Sequence, residues 1–353
     1  MVIRHWILGL FVMALLGLLI YSPHSLHGDT SPQVFPPQRI VSVTLATDEI
    51  LLALVPPERI VALTLWADDR VHSNVVVEAR SVLPRVRANA EQVVAYQPDL
   101  ILVAPYTLAS VKSLLEASGS PVFTLQSCNS IAEIQHNIIS VGRAVGESAR
   151  ARALVNQMER RLAGVYEHVH GLPRPAVLYY IPGGFTAGRG TTMDEIITNA
   201  GGTNVAATTG LWRTKKLSKE KLVALNPQFI LVGGDPHAPE HESVRPLLLA
   251  DPALQDIDAV RTGRIYVIPY SAIGTVSHHI IKGVEAIARV LHPQAFQKKN
   301  LQRSVQRSSI AKGLAQELAE ALGATHMPAE ALTADTLVRA VHQALDKNGP
   351  YKQ

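Results

Sequence analysis

The chain has 353 residues, 47% of them hydrophobic and 18% charged, with 33 basic side chains against 29 acidic ones. That length outgrows a single hydrophobic core, so two lobes are expected. The formal charge of +4 is spread without the Lys/Arg blocks a nucleic-acid partner would need, and the one cysteine, Cys128, excludes an intramolecular disulfide and any cysteine-based zinc site.

Arg4 and His5 precede an uncharged apolar run from Trp6 to Tyr21, which is followed by a polar stretch. The run is shorter than the roughly 20 residues that span a bilayer and has signal-peptide proportions, so residues 1–28 read as an export signal. No A-x-A cleavage site is visible near Ser22 to Gly28, which leaves an uncleaved N-terminal anchor as the alternative. A lipid-anchored form would need a cysteine just after the apolar run, and there is none.

Residues 39–129 read as a first α/β lobe. A strand starts at Arg39, and a helix follows with Thr47 as its expected cap and Asp48-Glu49 in its first turn. Pro56-Pro57 breaks that helix before the strand ERIVALT, and a β-α-β unit implies a parallel sheet. A polar loop holding Trp66 comes next, then NAEQVVAYQPDLILV (Asn89 to Val103), Pro105-Tyr106-Thr107, a helix and the strand PVFTL. Residues 130–171 are helical: Ser130 and Glu133 are placed for a capping box, and the pattern from Ser148 to about His170 predicts one helix of roughly 33 Å, a rigid strut.

Residues 172–297 read as a second α/β lobe. A strand begins at Ala176, the loop PGGFTAGRGTT follows, and a helix carries Asp194-Glu195-Ile196, an echo of Asp48-Glu49-Ile50 in the first lobe. The glycines around Arg189 fit neither dinucleotide nor phosphate-loop spacing and read as a tight loop. SKEKLVALNPQFILV (Ser218 to Val232) then repeats Asn89 to Val103 without a gap, Glu91 matching Glu220 and Pro98 matching Pro227. In each copy a polar cap opens a short helix, the glutamate falls in its first turn, proline ends it, and an unbroken apolar run reads as a buried strand. Locally, the two glutamates complement helix dipoles. A loop with His237 and His241, the strand RIYVIPY and a helix capped by Ser277 complete the lobe. Residues 298–353 read as a C-terminal helical extension.

Taken together, RIVSxxxxxxEILxAL, NxExVxAxxPDLILV, SIAEI, the long helix, GGFTAG, AGGxN and SxExLxALxPQxILV resemble the periplasmic binding proteins of ABC importers for iron–siderophore complexes, haem and cobalamin, over about Arg39 to Pro293. The resemblance implies two Rossmann-like α/β lobes with mainly parallel sheets bridged by a single long helix, and a ligand held between them. It further implies a monomeric, periplasmic, non-enzymatic protein with no intrinsic cofactor, and an exposed glutamate on each lobe, Glu91 and Glu220, that docks on the transmembrane permease. The chain departs from the family's habits at Leu45, Asp48 and Val55.

Loops after strand C-termini should face the cleft. They hold Trp66, Tyr106, Phe185, Trp212 and Tyr270 as flat apolar surfaces and Arg189, Arg213, Lys215 and Lys216 as cations, a set suited to an anionic, planar metal chelate. The two lysines read equally well as a solvated face. His278 and His279 are expected in the first turn of the Ser277-capped helix, where the dipole would favour neutral imidazole, with at most one of them facing the cleft. His237 and His241 raise bare zinc or manganese as an alternative ligand, and an oxyanion is a further one. A tetrapyrrole metal-chelatase-like enzyme is the alternative of another class; its general base would come from Asp48, Asp68, Asp69 or His278.

Overall fold

The computed structural model describes residues 35–239 and 244–297. The leader, His241 and the extension 298–353 lie outside the described residues. Two sheets organise the rest. The first runs in the order β3-β2-β1-β4-β5, built from β1 (Ile40–Ser42), β2 (Ile60–Thr64), β3 (Arg85–Val86), β4 (Leu100–Val103) and β5 (Val122–Thr124). All its pairings are parallel. All four residues of β4 are buried, as an unbroken apolar run in a covered parallel sheet requires.

The second sheet runs β11-β10-β6-β7-β9, with β8 also paired to β6; its strands are β6 (Ala176–Ile181), β7 (Phe185–Ala187), β8 (Thr203–Asn204), β9 (Thr214–Lys216), β10 (Phe229–Gly234) and β11 (Ile265–Pro269). Strands β6, β8, β10 and β11 pair parallel, while β7 runs antiparallel to both its neighbours, β6 and β9. The segments holding Phe185 and Lys215-Lys216, expected as loops, are therefore strands. The cause is the reversal at Gly183 and Gly184, whose φ values of 87° and 83° turn the chain straight back on β6.

The principal helices, in chain order, are α1 (Leu45–Leu54), α2 (Ala90–Val94), α3 (Ala109–Ala117), α4 (Ile131–Ala144), α5 (Ser148–Val169), α6 (Thr192–Asn199), α7 (Lys219–Leu225) and α8 (Ile281–Leu291). The 22 residues of α5 are the expected strut, with Ala151, Met158 and Val165 buried along one seam. Arg161 on α5 grips Glu285 on α8 through two hydrogen bonds of 2.8 and 2.9 Å. Arg59 ties the first lobe to the turn before α5 through Glu147, at 3.0 Å, and the Val145 carbonyl, at 2.6 Å.

The repeated stretch repeats in three dimensions. Asn89 Oδ1 accepts the Gln92 amide at 3.0 Å, and Ser218 Oγ accepts the Lys221 amide at 3.3 Å. Both copies bury the proline and expose the glutamate. Gln97 and Asn226, at matching places before the prolines, both adopt left-handed φ, 48° and 38°. A pre-proline residue is pushed out of the right-handed helical region, and here both copies take the same sparsely populated alternative.

The cap of α1 lies three residues earlier than expected. Thr44, not Thr47, is the N-cap, and the two threonines satisfy each other's amides at 3.3 and 3.2 Å in a capping box. This carries Asp48 and Glu49 into full burial rather than to the helix end. Asp48 accepts from the Thr64 amide and hydroxyl and lines neither of the two cleft cavities described below. Burial is the main cause that pushes its carboxyl up to about 6, against the lowering effect of its hydrogen bonds. Raised above the unfolded value, this group takes up a proton on folding. Its contribution to stability is therefore best below about pH 4 and is lost as pH rises through 6. Asp48→Asn should then be more stable than the parent at pH 7, by about 2 kcal/mol, with the gap closing toward pH 4. Urea melts at the two pH values check this, and a variant weaker at both overturns it.

Candidate ligand-binding cleft

The loops after β1, β2, β4 and β5 face those after β7 and β11 and the start of β9. Two cavities open between them, of about 590 and 360 Å³. Each lies within the roughly 300–1,000 Å³ range of small-molecule sites. Tyr106 lines both, so they are two ends of one cleft.

The larger end is polar. Tyr106, Cys128 and Asn129 face Gly190, Thr191 and Arg213 across it. Thr191 caps α6, accepting the Asp194 amide at 3.2 Å, so the positive end of that helix opens on the cavity. Arg213 is exposed and held at a φ of 59°, unusual for a side-chain-bearing residue. Reciprocal backbone bonds to Arg189 and Gly188, of 2.8 and 3.0 Å, hold it there. Glu133 sits low in pKa, first through a hydrogen bond from Ser127 and in part through the Arg213 charge. Burial pushes the Cys128 thiol up to about 11, so it is a neutral wall.

The smaller end is aromatic. Trp66, His72, Tyr106 and Tyr270 line it. His72 stacks on Tyr270 with ring centroids 5.4 Å apart and meets the Trp66 ring edge-on at 5.6 Å. Desolvation pushes the Tyr106 phenol up to about 12, which keeps it a proton donor.

Of the expected cleft residues, Trp66, Tyr106, Arg213 and Tyr270 come together here. Trp212 sits beside the polar end without lining it. Its ring covers Gly190, where a Cβ would come within 2.8 Å of it, so only glycine fits. Arg189 is spent elsewhere, its Nε donating to the Ala207 carbonyl at 3.0 Å. Phe185 pairs with Ile181 in the β6–β7 hairpin and with Lys216 on β9, and lines neither cavity. Lys215 and Lys216 are both exposed on β9 and line neither cavity.

His278 and His279 depart from expectation most. They belong to a 3-10 turn, His278–Ile280, packed on α4 and α5, and line neither cavity. The tight turn brings the two rings together, centroids 3.9 Å apart. Desolvation, more than any dipole, pulls their imidazoles down to about 4 and about 2, with Lys282 and Arg161 adding to it. His237 is exposed in a turn, its amide bonded to Asp235. Among the described residues no group of three or more His, Cys, Asp or Glu is arranged to hold a metal ion. Asp68 is committed to Arg85 through two bonds of 2.8 Å, and Asp69 to the loop that carries His72.

His72 was not singled out by sequence. Its place depends on Asp69 beside it and on Tyr270 from the other lobe; the only local signal is a histidine three residues after an aspartate in a tryptophan-bearing loop.

A family model described as periplasmic binding protein matches residues 40–272. A cobalamin-binding protein of Halobacterium salinarum is 28% identical over 211 residues, which is 58% of this chain and 56% of that protein. The chain thus matches little more than half the length of that relative. An uncharacterized ABC transporter substrate-binding lipoprotein of Bacillus subtilis is 25% identical over 223 residues, 60% of this chain and 68% of the relative. The apo structure of the periplasmic heme-binding protein RhuT from Roseiflexus sp. RS-1 superposes with a TM-score of 0.62 at 25% identity, covering 73% of this chain and 99% of that one.

Proposed function

The chain belongs to the periplasmic binding protein family, and from that premise we propose that it captures a metal chelate in its interlobe cleft, outside the cytoplasm, and delivers it to the permease of an ABC importer. The observation that carries the ligand class is the two-ended cleft: an aromatic wall of Trp66, Tyr106 and Tyr270 runs into a polar end with Arg213 and the α6 N-terminus. A flat macrocycle with anionic or amide groups on its rim satisfies both ends at once, whereas a bare cation gains nothing from either. The cobalamin- and heme-binding relatives support the same reading. Delivery falls to Glu91 and Glu220, exposed on rigid helix starts, one per lobe, and matched to guanidinium groups of the permease. A role in solute capture assigns no chemistry to the cleft.

Tryptophan fluorescence tests the ligand class. Trp66 lines the cleft and Trp212 flanks it. Titration with aquocobalamin, cobinamide, haemin and a ferric siderophore is expected to quench saturably for at least one chelate, at micromolar concentration or below. Trp66→Phe should remove most of the signal. A response to zinc or molybdate alone would overturn the chelate reading.

A further inference from the structure

We propose that a recess beside Trp66, walled by Leu65, Val86 and Arg87, receives an arm of the cargo, so that the cleft selects chelates whose ring carries a long anionic substituent over chelates that are bare rings. This rests on the metal-chelate reading above and adds a site for a part of the cargo that the contacts to its ring do not read.

A third cavity, of about 350 Å³, opens in the first lobe next to the aromatic end of the cleft. Its walls come from the C-terminal ends of three strands: Val43 after β1, Thr64, Leu65, Trp66 and Asp69 at and after β2, and Val86, Arg87 and Ala88 at and after β3. Val43, Trp66 and Ala88 line this cavity and the aromatic end alike, so the two adjoin, with the indole at their boundary. A ring lying against Trp66 therefore reaches the mouth of the recess. The volume stands at the lower end of the range for small-molecule sites, which gives room for a substituent of the ring.

The polar groups of the recess are committed, with one exception. The Thr64 hydroxyl donates to Asp48. Asp69 is turned onto its own loop: Oδ1 accepts the Val71 and His72 amides at 2.8 and 3.1 Å and stands 3.2 Å from His72 Nδ1. Arg85, two residues before Arg87, is held by Asp68. Arg87 is the exception. It is exposed, and its guanidinium makes no hydrogen bond or ion pair among the described residues. Its backbone is nevertheless fixed, the amide donating to Gln92 Oε1 at 3.1 Å and the carbonyl accepting the Asn89 amide at 2.7 Å. The charge left over in the recess is thus positive and carried on a tethered backbone, and a guanidinium pairs bidentately with a phosphate or carboxylate. An arm with a flat or apolar body packs on Leu65, Trp66 and Val86 while its anionic group meets Arg87.

The test holds the ring constant and varies the arm. Aquocyanocobinamide, its phosphate and its guanosine diphosphate ester are titrated against the full chain by tryptophan quenching, with haemin and a ferric siderophore beside them. The parent is expected to bind both phosphorylated probes about 10–100-fold more tightly than cobinamide itself. Arg87→Gln should bring that ratio close to one, and Arg87→Lys should keep part of it. Leu65→Phe, which narrows the recess, should lower the ratio for the nucleotide-bearing probe more than for the phosphate. The readout is a ratio within each variant, which a merely structural role of Arg87 or Leu65 would not move. Equal affinity for the three corrinoids, a preference that survives both Arg87→Gln and Leu65→Phe, or a parent that responds only to haemin or the siderophore overturns the arm site while the chelate reading stands. A parent silent to every chelate overturns the chelate reading itself, and the arm site falls with it.

Discussion

Exchanging Glu91 and Glu220 together for lysine is expected to cut delivery to the permease at least a hundredfold while leaving capture unchanged. Both carboxylates are exposed on short helices and line neither cavity of the cleft, so neither substitution touches the ligand. The local cost is small: a lysine in the first turn opposes the helix dipole by about 0.3–1 kcal/mol, which a protein of this size absorbs. The cost at a docking surface is different in kind. Two carboxylate–guanidinium contacts become two like-charge contacts, each worth several kcal/mol, and every 1.4 kcal/mol is a factor of ten. Single variants should fall between parent and double variant. Uptake by proteoliposomes carrying the cognate permease, beside the fluorescence titration, separates the two effects. Undiminished uptake by the double variant would sink the docking role. A dipole-capping role alone would move only the melting curve, and by little.

Much of this arrangement was legible because it is locally encoded. The caps Asn89, Ser130 and Ser218, the terminating Pro98 and Pro227 and the unbroken apolar runs each act within a few residues, so the paired stretches, the parallel strands and the strut α5 follow from sequence order. What was not legible depends on partners far along the chain. Arg189 reads as a free cation until the Ala207 carbonyl claims it. Phe185 reads as a loop aromatic until two positive-φ glycines fold its strand back. His278 and His279 read as helix-start histidines with diverging rings, but a 3-10 turn brings the rings together, and they line neither cavity. His72 gains meaning only when Tyr270 arrives from the second lobe. The echo of Asp48-Glu49 in Asp194-Glu195 was visible, but not what it does.

That echo is the basis of the second large effect. In each half the aspartate holds its own lobe: Asp48 accepts from Thr64, and Asp194 Oδ1 accepts Asn204 Nδ2 at 3.0 Å. In each half the glutamate reaches out of its lobe. Glu195 Oε2 accepts the Ile131 amide at 2.6 Å, at the start of α4. Glu49, fully buried, accepts the Asn74 amide and side chain at 3.0 Å each and the hydroxyls of Thr275 and Ser277 from the second lobe. Lys282 closes the network at 2.9 Å from Asn74 Oδ1. Glu49→Leu would leave the Asn74 amide without its acceptor and strip the carboxylate from the Thr275 and Ser277 hydroxyls, which would keep only each other, beside a half-buried lysine whose negative partner is gone. The expected loss is about 3–5 kcal/mol, against about 1–2 kcal/mol for Glu49→Gln, which keeps the shape and one acceptor oxygen. Because the lost bonds join the lobes, Glu49→Leu should also split unfolding. A urea melt followed at Trp66 in the first lobe, in a Trp6→Phe/Trp212→Phe background, should no longer coincide with one followed at Trp212 in a Trp6→Phe/Trp66→Phe background. A Glu49→Leu protein that melts in a single coincident transition within 1 kcal/mol of the parent would show that α5 and the remaining ties, among them Ser271 to Val71 and to Asn74, couple the lobes without Glu49.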